Sequence, residues 1–142
     1  MLLVAVMVST MALGAFPIVG TAVVATFLAR DLGMSLTLFG AGVAVNTLFG
    51  AIFAPLSGRI SDRYGGKWSC VFVLTSAGIG LIIVAFATSP VGLVLGLLVS
   101  SYGQGACNPA TNKLVAERAV PGRRGTLTGI KQSGVQLGIL MG

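Results

Sequence analysis

The chain has 142 residues, of which 55% are hydrophobic and only 8% charged, with no histidine at all. A soluble domain of this size covers its surface with roughly 25% charged residues, so the composition excludes a water-soluble globular fold and leaves lipid as the solvent. The net charge of +6 does not point to nucleic acid, because the basic residues are scattered between apolar runs, as in the cytoplasmic loops of membrane proteins.

Residues 1–29 carry no charge and would reach about 40 Å as a helix, enough to cross a bilayer with tilt. This is span one. A secretory signal would need a basic start and a shorter apolar region. Pro17, following Gly14, is expected to kink it. Arg30 and Asp31 punctuate the chain, Leu32-Gly33-Met34-Ser35 forms a turn, and residues 32–58 make span two. A polar connector, 59–67, precedes a long uncharged run that Thr88-Ser89-Pro90 divides into span three (68–87) and span four (90–112). A second connector, 113–124, contains the turn signal Pro121-Gly122, and a fifth apolar segment, 125–142, stops short of a full crossing. The sequence therefore predicts an all-α, polytopic helix bundle in one partial domain.

Connector 59–67 carries Arg59, Arg63 and Lys67, and connector 113–124 carries Lys113, Arg118, Arg123 and Arg124. Two crossings separate them, so both lie on one side. The excess of Lys and Arg makes that side cytoplasmic, with a cytoplasmic amino terminus and a multi-pass cell-membrane location. Gly92 with Gly96, and Gly134 with Gly138 and Gly142, fall four apart, as expected where helix backbones pack closely in lipid. Cys70 and Cys107 have no metal-ligand spacing and read as small apolar packers.

No catalytic set can be assembled. There is no histidine, and the three acids, Asp31, Asp62 and Glu117, all lie in connectors. The sequence thus indicates no enzyme, metal or cofactor. Polar residues inside the spans serve either as interhelical contacts or as a solute path. Gln104 and Asn108, one turn apart beside Pro109, are the best-placed candidates in span four. In the fifth segment, Lys131 with Thr128, Gln132 and Gln136 forms one polar arc. Lys131 would sit about 10 Å deeper than Arg124. Either its side chain snorkels back to the headgroups, or it lines a pathway for an anionic solute.

The first connector reads Gly58-Arg59-Ile60-Ser61-Asp62-Arg63-Tyr64-Gly65-Gly66-Lys67. Gly58, Asp62, Arg63, Gly65 and Lys67 match the signature between the second and third helices of the major facilitator superfamily, which this chain resembles. Gly66 stands where that family usually has arginine, which removes one supporting salt bridge. Asp31-Leu32-Gly33-Met34-Ser35, Gly103-Gln104-Gly105-Ala106 through Pro109, and Arg124-Gly125 leading into Gly129-Ile130-Lys131-Gln132-Ser133-Gly134 extend the resemblance over the whole chain. Ser101 occupies a position where many members carry an arginine tied to proton coupling. The resemblance implies helices one to four and the start of five of a secondary transporter, working by alternating access on a small solute together with the remaining helices. It also implies that Asp62 helps hold the two halves together on the cytoplasmic side in the outward-open state; a carboxylate there could latch onto a helix amino terminus. A membrane scaffold or anchor is the alternative, and it gives no reason for Asp62.

Overall fold

The computed structural model describes residues 2–120 and 122–141. Its elements are α1 (Leu2–Val23), α2 (Ala25–Asp31), α3 (Leu36–Ala85), α4 (Pro90–Arg118) and α5 (Arg124–Met141). Among the described residues, α1, α3 and α4 are long and apolar enough to cross a membrane. Apolar side chains such as Leu48, Ile52, Ile79 and Ile82 are 47–59% exposed on the outside of the bundle, which water would penalise and lipid does not.

Helix α1 continues through Pro17, and the first interruption comes later, at Val24 (φ −94°, ψ 12°). The turn after α2 is a Schellman cap. Gly33 has φ 61°, its N–H donates to the Arg30 carbonyl at 3.2 Å, and the Met34 N–H donates to the Ala29 carbonyl at 2.9 Å. Ala29 and Met34, which bracket the cap, are both buried in one cluster with Phe39, Val84, Leu93 and Leu97. Ser35 then caps α3, its hydroxyl accepting from the Leu38 N–H at 3.2 Å.

Spans two and three are two limbs of α3, folded at Gly65 (φ 81°, ψ 166°), a conformation that a side chain would strain. The charged stretch read as a connector, 59–67, is helical on both sides of that glycine. Likewise residues 113–118 belong to α4, and the non-helical link is shorter than 113–124; Pro121 of the expected turn lies outside the described residues, while Gly122 has φ 88°. Loop charge marks where water begins, and Lys, Arg and Glu carry a helix past that boundary without cost in propensity.

Helix α4 packs along both limbs of α3. Gly50 and Gly105 bring the first limb into backbone contact with α4, and Gly80 and Gly96 do the same for the second. Gly92 instead faces Ala87 in its own turn, and Gly142 lies outside the described residues. Asn46, fully buried, donates from Nδ2 to the Leu97 carbonyl and to Ser100 Oγ at 3.3 Å. It ties the first limb to α4. Ser76 takes the Gly103 N–H at 3.0 Å and donates to the Val99 carbonyl at 2.8 Å, bridging the second limb to α4. Helix α5 lies on α1, with Gly134 against Val8 and Gly138 against Ala12. Both cysteines are free and buried, in a core with Met7, Met11, Val73 and Ala110.

Candidate functional site

Two polar constellations stand out. The first lies where α3 folds. Asp62, at the end of the first limb, accepts from Lys113 Nζ of α4 at 2.9 Å, with the two side chains 75% and 30% exposed. The Asp62 carboxylate holds the Lys113 ammonium above its ordinary range, chiefly through this hydrogen bond. One turn further along α4, Glu117 reaches the other limb: its two carboxylate oxygens accept from the Gly66 N–H at 3.3 and 3.2 Å. Gly66 begins a helical limb, so its N–H is one of the unsatisfied donors of a helix amino terminus, and a carboxylate is favoured there. Among the described residues, the acid on a helix amino terminus is Glu117, while Asp62 pairs with Lys113.

Gly66 is itself explained by packing. A Cβ there would fall 2.6 Å from the Leu114 backbone nitrogen and 2.7 Å from its Cα, so no side chain fits while α4 lies this close. Arg63 and Lys67 rest against their neighbours' rings, the Arg63 guanidinium 5.6 Å from the Tyr64 centroid and Lys67 Nζ 5.8 Å from that of Trp68. Gly58 has open space around it. Of the five signature residues, the fold uses Gly65 for its reversal and Asp62 for an ion pair with α4. The two charged segments meet at one end of the bundle, where Arg124 also donates to the Ala116 carbonyl at 3.4 Å.

The second constellation surrounds Lys131, which is 1% exposed. Its Nζ lies 2.6 Å from Asn112 Oδ1, 2.9 Å from Thr111 Oγ1 and 3.4 Å from Asn108 Oδ1. These three residues share one face of α4 at spacings of three and four, and close packing of α5 on α1 turns Lys131 toward them. The side chain does not lead back to the surface. An ammonium has three donors and no acceptor, and here three neutral oxygens receive them.

The structure therefore joins Lys131 to Asn108 and Asn112, polar residues of span four that the sequence places on a separate arc, and adds Thr111. Thr111 was missed altogether, although the spacing 108, 111, 112 carries the signal. It does not bring in Gln132 or Gln136, which are exposed on α5. Gln104 lies a turn from Asn108 with its Oε1 buried and unpartnered, near Gly50.

The comparison with known families decides the class, because the model of the Major Facilitator Superfamily matches residues 2–142. The chain belongs to the Major Facilitator Superfamily. This facilitator chain is 31% identical over 122 residues to a triacylglyceride transporter of Mycolicibacterium hassiacum, covering 84% of itself and 23% of that protein. It is 30% identical over 116 residues to the hexuronate transporter of Bacillus subtilis, covering 82% of itself and 28% of the relative. A probable quinate permease of Aspergillus fumigatus is 35% identical over 97 residues, 66% of this chain and 17% of the permease. The facilitator chain thus spans about a quarter or less of the length of these relatives.

Proposed function

We propose that the chain is the amino-terminal part of a secondary transporter that moves a small anionic solute across the cell membrane by alternating access. Family membership supports transport, and the observation that carries the anionic reading is Lys131, buried with three neutral oxygens around its nitrogen and no acid beside it. A cation withdrawn from water is strongly disfavoured unless something offsets its charge. A solute carboxylate or phosphate would do so and would be selected for it, while a cationic solute would be repelled. Two of the relatives are named for hexuronate and quinate, which are carboxylates, and a third for a neutral lipid. The residue chemistry, not the names, chooses between them.

In this reading the fold at Gly65 is the cytoplasmic gate. Asp62–Lys113 and Gly66–Glu117 fasten α3 to α4 there so that the half-bundle moves as a unit against the remaining helices. The crowd of basic residues at that end supports a cytoplasmic placement, and with it a cytoplasmic amino terminus. The test is uptake of radiolabelled D-glucuronate, quinate and glucose by vesicles containing the full-length protein. Carboxylate uptake that falls about tenfold or more in Lys131→Gln, with glucose not transported, supports the proposal. Unchanged uptake in that variant overturns it.

A further inference from the structure

Helix α1, the second limb of α3 and the end of α4 enclose an open groove of about 450 Å³, a size that suits a ligand. Its two parts differ in chemistry. Leu2 and Val6 of α1, Val71 and Leu74 of the second limb and Leu114 of α4 give it an apolar lining. The two charged residues that line it are both cations, Lys67 at the start of the limb and Arg118 at the end of α4. Leu74 lies seven residues beyond Lys67, so the apolar part extends about 10 Å along the limb from the basic end.

Among the described residues, neither cation has an acid within ion-pair distance. Glu117, the neighbour of Arg118, directs both carboxylate oxygens to the Gly66 N–H, and Asp62 pairs with Lys113. The third acid of the chain, Asp31, ends α2. An excess of Lys and Arg beside a membrane accounts for charge at this end. It does not account for two cations, carried by different helices, meeting at the mouth of one apolar groove. Trp68, beside Lys67 and 54% exposed, marks the level of the lipid headgroups, where tryptophan is enriched.

We propose that this groove binds one anionic phospholipid of the adjoining leaflet. Its phosphate sits between Lys67 and Arg118, and an acyl chain lies along Val6, Val71 and Leu74. Charge complementarity selects the occupant: basic pockets between membrane helices take anionic headgroups, whereas a zwitterionic lipid brings its own cation to the same two positive groups. An apolar chain attached to the phosphate fills the rest of the groove. The bound lipid fastens α1 to the two elements that meet at the fold of α3.

The test is native mass spectrometry of the full-length protein in detergent with equal amounts of phosphatidylglycerol and phosphatidylcholine of the same acyl chains. Preferential retention of one phosphatidylglycerol is the expected result. In the double variant Lys67→Gln, Arg118→Gln the preference should fall about tenfold or more, as expected for losing two cations near a headgroup. Arg59→Gln with Arg63→Gln removes the same charge from residues that do not line the groove and should keep the preference. Val71→Trp fills the apolar part and should release the lipid. Inorganic phosphate, which has no acyl chain, should not displace it. Equal retention of both lipids overturns the proposal, and is the outcome if another helix of the full-length protein occupies the groove. Equal loss in the Arg59 and Arg63 variant, or displacement by inorganic phosphate, overturns it as well. Lys67 and Arg118 are exposed, so their replacement disturbs no packing and decides the matter even if Val71→Trp does not fold.

Discussion

The Glu117 carboxylate accepts the backbone N–H of Gly66 across the fold of α3, at a point where the Leu114 backbone leaves no room for a Cβ. The two facts depend on each other, since α4 approaches closely enough for Glu117 to cap the second limb only because residue 66 has no side chain. Restoring the arginine usual in the family should therefore harm this chain. Gly66→Ala forces a shift between two backbones and should cost about 1–3 kcal/mol, and Gly66→Arg at least as much. Glu117→Gln should cost less, about 0.5–2 kcal/mol, the range for losing a helix cap. Thermal unfolding in detergent would check the order, and a Gly66→Arg protein as stable as the original would show that α4 does not lie this close.

Asp62 and Lys113 form a different kind of contact. Both are partly exposed, and exposed ion pairs contribute little to stability. Asp62→Asn and Lys113→Gln should leave unfolding nearly unchanged, with a double-mutant cycle giving a coupling close to zero. Their effect should appear instead in the distribution between gate states, read as altered labelling of an introduced cysteine on the cytoplasmic face. Because Lys113 is raised above its ordinary value of 10.5, the contribution of its charge is full below that value and is lost only as pH climbs through the raised one. Gate labelling should accordingly show no Lys113-dependent change between pH 7 and pH 9.

Much of this architecture is legible in the letters, and the illegible parts share one physical cause. Uncharged runs long enough to cross lipid can only be helices, so the number and order of spans follow from composition. The extent of each helix does not, since Arg59, Asp62 and Arg63 are helical although charged, and only the positive φ of Gly65 reverses the chain. At the site, the depth of Lys131 follows from its distance to Arg124, but its partners depend on the rotation of α5. That rotation is fixed where Gly134 meets Val8 and Gly138 meets Ala12, contacts between segments more than a hundred residues apart. The same applies to Gly66, whose departure from the family pattern coincides with a close approach of the Leu114 backbone.

The orientation prediction uses surface positions that the structure supplies. Ser61 is 2% exposed and unsuitable for labelling, whereas Tyr64 is 52% exposed, and Thr88 is exposed on the turn before α4. In a protein with Cys70 and Cys107 replaced by serine, Tyr64→Cys should react with an impermeant thiol reagent only from the cytoplasm and Thr88→Cys only from outside. Reaction of both from the same side would contradict the placement of the gate.

Asn112 offers the sharpest test of whether Lys131 awaits a counter-ion. Its Oδ1 already lies 2.6 Å from Nζ, so Asn112→Asp installs a carboxylate of nearly unchanged shape at the place where the missing charge is needed. The new acid and Lys131 should form a fixed ion pair, worth about 1.5–3 kcal/mol where a hydrogen bond gains charge. A solute carboxylate would then have to displace a permanent partner, so affinity for D-glucuronate or quinate should drop tenfold or more, which corresponds to about 1.4 kcal/mol or more. Asn112→Ser, neutral and polar, is the control and should keep anion binding. If Asn112→Asp binds the carboxylates as well as the original protein does, the solute does not complete the charge of Lys131, and that lysine serves only to fasten α5 to α4.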